Sequence, residues 1–140
     1  MSLKVEVTTD LDPCFALRRR VFIEEQNVPE EEEWDALDAT AIHLLMTNDG
    51  RPVGTARLIL DGDCAKIGRV CVLSEMRGTG AGAALMRFAV DHLKARGDLT
   101  KIKLSAQTYA IGFYEKLGFT AYGPEYDDAG IPHRDMSLTL

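Results

Sequence analysis

Between Arg69 and Arg96 three segments stand back to back, and each restricts what the chain can fold into. Arg69-Val70-Cys71-Val72-Leu73 is a short, β-branched, apolar run that reads as a buried strand. Arg77-Gly78-Thr79-Gly80-Ala81-Gly82 is a tight glycine turn. From Ala81 onward, Leu85, Phe88, Ala89 and Leu93 recur at helical spacing, with Arg87, Asp91 and Lys94 on the other side. A strand therefore feeds a glycine loop that opens a helix. The first amides of a helix have no internal acceptors, and the helix dipole places partial positive charge there. Glycines let those amides approach an anion with no Cβ in the way, and Arg77 adds a full positive charge at the mouth. The stretch reads as a diphosphate cradle at the end of a strand.

Several loop types compete for that reading. A P-loop needs Gly-Lys-Ser/Thr after the glycines, and Ala83 and Ala84 follow Gly82 instead, so no lysine reaches a terminal phosphate. The dinucleotide fingerprint G-x-G-x-x-G/A is formally matched by Gly78, Gly80 and Ala83. It needs the strand to run straight into the glycines, whereas Leu73-Ser74-Glu75-Met76 intervene, and Lys101–Ala106 lacks the acidic strand end. A helix that merely starts with glycines and holds no ligand is the bland alternative.

Arg77, Gly80 and Gly82 fit a further pattern, Arg/Gln-x-x-Gly-x-Gly/Ala. It resembles the coenzyme A pyrophosphate loop of the GNAT-superfamily acetyltransferases. Downstream, Gln107, Ala110 and Phe113-Tyr114-Glu115-Lys116-Leu117-Gly118-Phe119 resemble that family's second signature: a polar residue, Ala three later, then Phe-Tyr-x-Lys-x-Gly-Phe. The order and separation of the two signatures are more specific than either alone. Val21-Phe22-Ile23-Glu24-Glu25-Gln26-Asn27-Val28-Pro29 resembles a segment of one bacterial subgroup whose substrates are mostly unassigned.

The resemblance implies an α/β fold of the α+β type: one domain over residues 1–140, with a mixed, mostly antiparallel sheet, helices on both faces and one splayed pair of parallel strands. It implies acetyl-CoA as co-substrate. Val70, Cys71 and Val72 would take the pantetheine and thioester, and an amide near Val72 would polarise the thioester carbonyl. Arg77, Gly78, Thr79, Gly80, Ala81, Gly82 and Ala83 would take the pyrophosphate. Gln107 stands where the family often has Asn, and Ser74 where it often has Pro. Tyr114 matches the family's frequent general acid, with Tyr109 second; packing of a short helix is the other reading of Phe113-Tyr114.

An attacking amine must shed a proton, and Glu24, Glu25 and His133 are the candidate acceptors. The resemblance places the Val21–Pro29 segment beside the acceptor site, which makes Glu24, Glu25 and Gln26 candidate substrate-facing groups. His43 and His92 rank lower. Cys71 lacks a paired base in the sequence and reads as a buried strand thiol, so transfer is expected to be direct, without an acyl-enzyme. The acceptor expected is a primary amine on a small molecule such as an amino sugar, amino acid or polyamine. A protein or peptide N-acetyltransferase and a non-catalytic acyl-CoA-binding module are the alternatives.

Composition narrows the class further. The chain has 140 residues, room for one core. The net charge of −6 argues against a nucleic-acid partner. No apolar run approaches a membrane span and no signal-peptide core is present, which leaves the cytoplasm as the default. Cys14, Cys64 and Cys71 form no C-x-x-C pair, and the three histidines lie scattered, so neither a disulfide framework nor a metal site is expected. A symmetric homodimer is the oligomer expected of so small an enzyme.

Along the chain, Leu3–Thr8 alternates as a strand. Asp12-Pro13 predicts a helix start, with Asp12 as N-cap, running to about Glu25. Arg18-Arg19-Arg20 reads as a solvated run, with anion gripping as the minority reading. Glu30–Glu33 reads as an exposed first helical turn, or else as a rim that concentrates amines. Trp34 reads as packing. Ala41–Thr47, Pro52–Leu60 and Cys64–Leu73 predict an antiparallel meander turning at Asn48-Asp49-Gly50 and Asp61-Gly62-Asp63. Lys101–Ala106 predicts a strand parallel to the third. Thr108 is expected to cap a helix over Tyr109–Lys116, and Phe119–Tyr122 and Ile131–Leu140 to be strands joined by a Gly123–Gly130 loop.

Overall fold

A computed structural model describes residues 2–140. Seven strands are β1 (Leu3–Thr8), β2 (Ile42–Asn48), β3 (Arg51–Asp61), β4 (Cys64–Val72), β5 (Lys101–Gln107), β6 (Thr120–Asp128) and β7 (Ile131–Thr139). They form one mixed sheet in the order β1-β2-β3-β4-β5-β7-β6. Every neighbouring pair is antiparallel except β4 and β5. The helices are α1 (Asp12–Arg18), α2 (Glu30–Glu33), α3 (Ala81–Lys94) and α4 (Ile111–Glu115).

The meander forms because its turns carry the residues that the backbone demands. Asp49 and Gly50 both have positive φ, 52° and 84°, the pattern of a two-residue turn whose twist matches the strands it joins. Six consecutive residues of β3, Val53 to Leu58, are buried. A strand points alternate side chains to opposite faces, so such a run requires cover on both. Helices α1 and α3 each pack on β3 and β4 and supply it. Helix α3 turns Leu85, Met86, Ala89, Val90 and Leu93 inward, and α1 contributes Cys14 and Leu17.

The expected single helix from Asp12 to Glu25 changes pitch. After Arg18 the chain continues as a π-helix over Arg19–Glu25, with the amide of Gln26 donating to the carbonyl of Val21 at 3.0 Å. This wider winding is uncommon and concentrates at functional sites. Asp12 is the first helical residue rather than the N-cap, which is Leu11, and it makes no side-chain cap. Thr108 likewise caps nothing; it opens a tight turn, Thr108–Ala110, ahead of α4.

The expected Gly123–Gly130 loop is mostly strand. β6 runs through to Asp128, with an irregularity between Tyr122 and Tyr126 that absorbs Gly123 and Pro124. Proline is tolerated there because β6 is the edge of the sheet and a bulge needs no ladder amide.

The arginine run is the largest departure. Arg18 is 1% exposed. It lies one helical turn after buried Cys14, on the face α1 turns to the sheet. Its Nε donates to Glu33 Oε2 at 2.9 Å and its Nη1 to Asp38 Oδ1 at 2.7 Å, and its guanidinium stands 5.1 Å from the Trp34 ring. Glu33, the last residue of the glutamate run, is therefore buried too. The burial is affordable because each charge finds an opposite partner with directed hydrogen bonds.

Candidate active site

β4 and β5 are paired only at their first residues, Cys64–Lys66 against Lys101–Lys103. Beyond that, β5 stays with β7 as far as Gln107 opposite His133, while β4 stays with β3 as far as Val72 opposite Gly54. The two parallel strands diverge, and the β5-facing edge of β4 is left without a strand partner. A bulge sharpens the divergence. Between the pairs Thr55–Cys71 and Arg57–Gly68, β3 has one residue and β4 has two, Arg69 and Val70. Arg69 takes up the strain with φ of 51°. Val70, Cys71 and Val72 lie beyond the bulge. On the other side, Gly54 lets β3 approach closely: a Cβ there would meet Val72 Cγ1 at 3.0 Å.

The segment after Val72 turns through Ser74–Met76 into the glycine loop. Gly78 and Gly80 have φ of 77° and 88°, and a Cβ on either would meet nothing within 4 Å, so the space above the loop is open. Ala84 makes the first intrahelical bond of α3, to the Gly80 carbonyl. Among the described residues the amides of Gly78, Thr79, Gly80, Gly82 and Ala83 have no backbone acceptor, and that of Ala81 reaches only the Thr79 hydroxyl, at 3.4 Å. These free amides at a helix start suit a pyrophosphate, and the unpaired strand edge suits an amide-bearing arm. The residues present therefore fit coenzyme A.

Arg77 is already engaged. It donates through Nη2 to Glu25 Oε1 at 3.0 Å and to the Val72 carbonyl at 3.2 Å. The Glu25 carboxyl is held below its usual range by that hydrogen bond, and Arg77 is raised in turn. Both side chains are more than two-fifths exposed, so an incoming anion can compete for the guanidinium.

One cavity of about 280 Å³ occupies the cleft between the diverging strands and reaches the α1–α2 side of the sheet. Val70, Gln107, Tyr114 and His133 all line it, and so does Gln26. Gln107 and Gln26 meet there, the former donating to the latter at 2.9 Å. Tyr114 sits on α4 against the edges of Phe113 and Phe119, and burial pushes its phenol up to about 12. His133 stacks on Tyr126, and its Nδ1 donates to the Ile131 carbonyl at 2.7 Å. A neutral ring with its proton on Nδ1 leaves Nε2 as the acceptor. Glu24 is exposed and outside the cavity lining, and Glu25 is committed to Arg77. Tyr109 lines the cavity but is 80% exposed. The Cys71 thiol is buried and pushed up to about 12, so it stays un-ionised at neutral pH.

Sequence reasoning missed a charged wall on the helix side. Arg57 donates to Asp35 at 2.7 and 2.8 Å and to Asp38 at 3.0 Å, and Arg69 donates to the Glu33 carbonyl at 3.0 Å. Asp35 falls to about 2, chiefly through its hydrogen bonds from Arg57. For Asp38, burial works upward, but the bonds from Arg18 and Arg57 outweigh it and hold the carboxyl low. These partners stand 15 to 36 residues apart, so no local pattern announces them. His43, buried, bonds the Asp38 carbonyl through Nε2 and is part of this frame. Among the described residues no group of three or more His, Cys, Asp or Glu could hold a metal ion, and no helix is long and apolar enough to cross a membrane.

Comparison with known proteins identifies the family. Residues 8–140 match the family model described as an acetyltransferase (GNAT) domain. The chain is 39% identical over 127 residues to the uncharacterized N-acetyltransferase YjcF of Bacillus subtilis, covering 90% of each chain. It is 38% identical over 140 residues to the uncharacterized protein YyaT of the same organism, covering 98% of this chain and 94% of that one. Among solved structures, an acyl-CoA N-acyltransferase from Pseudomonas aeruginosa superposes with a TM-score of 0.87 at 31% identity, over 98% of this chain and 99% of that one. The chain belongs to the GNAT acetyltransferase family and is an acyltransferase.

Proposed function

We propose that the protein transfers an acetyl group from acetyl-CoA to the primary amine of a small molecule, directly, with both substrates bound together. The observation that carries this reading is the wedge. The unpaired edge of β4 leads to a row of free loop amides, and Tyr114 and His133 line the same cavity. Acetyl-CoA supplies an acyl group already activated as a thioester.

The roles assigned to the chain in this proposal draw on its geometry. Amides from Gly78 to Ala83, with Arg77 released from Glu25, hold the pyrophosphate. The backbone of Val70–Val72 holds the pantetheine arm as an added strand, and an amide near Val72 polarises the carbonyl. His133 Nε2 accepts the proton that the amine loses, and Tyr114 Oη–H gives a proton to the departing sulfur. A phenol held near 12 stays protonated at neutral pH, which suits an acid and not a base. The new C–N bond replaces the C–S bond, and the products are an amide and a free thiol. Un-ionised Cys71 supports the direct route.

A 280 Å³ cleft favours a small acceptor over an extended peptide. The test is free-thiol release from acetyl-CoA across a panel of amines, with initial rates measured against both substrates. Intersecting lines are expected. Parallel lines would mean an acyl-enzyme, and thiol release from no amine despite CoA binding would leave only a binding module.

A further inference from the structure

The Arg57 guanidinium is 5% exposed and locked at both Nη atoms by Asp35 and Asp38, yet its Nε is buried with no hydrogen-bond partner. A buried donor left unpaired points to a missing acceptor. Arg69 Nε, 3.0 Å from Glu33 Oε2 but off the bonding direction, is unpaired as well. The residue opposite Arg57 adds no side chain of its own. Gly68 pairs with Arg57 across the β3–β4 ladder, and a Cβ on Gly68 would lie 4.0 Å from Arg57 Nε with no other heavy atom as close.

The next pair on the same faces is Ile59 with Lys66, and all four residues line the cavity. Behind them, Arg18, Arg57 and Arg69 are balanced one for one by Glu33, Asp35 and Asp38. The ammonium of Lys66 is outside that balance, an uncommitted positive charge on this wall. Exposed carboxylates, Glu32 and Asp128, also line the cavity, and Asp128 sits on the hairpin that carries His133. Glu32 lies on α2 beside Glu33, at the rim of the arginine wall, so the donors offered near Gly68 are the directed Arg57 Nε–H and the Lys66 ammonium, and Asp128 is the carboxylate on the His133 side.

Resting on the acetyl-transfer reading above, we propose that the acceptor is an amino acid-like zwitterion. Its carboxylate is taken over Gly68 by Arg57 Nε–H and the Lys66 ammonium, and its amine turns toward Val70 and His133. The rigid, already neutralised Arg57 supplies direction, and Lys66 supplies the charge that a carboxylate needs and a neutral amide does not.

The experiment compares L-alanine, L-glutamate and L-phenylalanine with their α-carboxamides, which keep the side chain and replace the carboxylate by a neutral group. Because the amide also makes the amine less basic, rates are compared at a pH where both amines are largely deprotonated. Thiol release gives kcat/KM for each, and calorimetry measures binding of each to the CoA-saturated protein. The expected preference for the free acids is about tenfold or more. Gly68→Ala places a methyl at ordinary contact distance from Arg57 without a positive φ, so it fills the anion's place and leaves the strand intact. It and Lys66→Met should each remove most of the preference, and CoA affinity reports that each variant is folded. Carboxamides used and bound as well as the acids, or a preference that survives both substitutions, would overturn the proposal. If no amine is acetylated, the transfer reading fails and calorimetry alone decides the subsite: acid binding lost in Gly68→Ala supports it, and no binding of any acid refutes it.

Discussion

Tyr114 and His133 line one cavity, and their surroundings suit the two proton-transfer roles proposed for them. Desolvation keeps the Tyr114 phenol protonated, and the Ile131 carbonyl holds the His133 proton on Nδ1. Tyr114→Phe should lower kcat by about a hundredfold, within the range for a lost general acid, and leave CoA affinity unchanged. Steady-state rates and calorimetry separate the two effects. Asp35 carries a different consequence. Its carboxyl lies at about 2 in the fold against 3.8 ordinarily, so the unfolded chain binds its proton first as pH falls. The stabilisation is complete above 3.8 and is lost as pH drops through about 2. Because Asp35 is about a third exposed, screening reduces it to about 1 kcal/mol. Denaturant unfolding across that acid window should show the loss in the native protein and a flatter profile in Asp35→Asn.

At the scale of elements, the buried ion cluster ties α1 and α2 to β3 and β4 on the side where the cavity opens. Its arginines are frame as well as wall. Arg18→Leu would leave Glu33 and Asp38 short of a partner in the interior, and breaking such a pair costs about 3–5 kcal/mol. Thermal unfolding should show a drop of about 10 °C or more. A change confined to a degree or two would mean that Glu33 and Asp38 find other partners. The strand bulge at Arg69 and the π-helical turn over Arg19–Glu25 act on the same region from two sides. The bulge lies in the part of β4 that has already left β5, and the π-helical segment ends where Glu25 and Gln26 reach Arg77 and Gln107. The second contact spans 81 residues, and only the assembled sheet creates it.

For the whole molecule, the wedge is a place where two halves of one sheet are held together by few bonds. β1 to β4 form one antiparallel block and β5 to β7 another, joined by the short parallel pairing at Cys64–Lys66. A ligand seated across the gap would contact both blocks and bind only the folded state. CoA at a hundred times its dissociation constant should then stabilise the protein by about 2.7 kcal/mol. A melting scan would register that as roughly 8 °C. No shift at that concentration would contradict the CoA site itself.

The glycine turn before an amphipathic helix, the type of most elements and the polarity of the parallel pair could be read from the chain because neighbours along it set them. A φ above zero, a helix start and a period of two or of 3.6 are local matters of sterics and solvation. The family signatures were legible for the same reason, since each lies within one loop or one short helix. Which arginine of Arg18-Arg19-Arg20 goes inside was not legible, nor that Glu33 leaves its exposed run to meet it. Those outcomes depend on partners 15 to 36 residues away, because a charge can be buried only where the fold delivers an opposite one. The convergence of Gly68, Arg57 and Lys66 on one cavity wall was likewise settled by strand register and the bulge, which exist only once the sheet has formed.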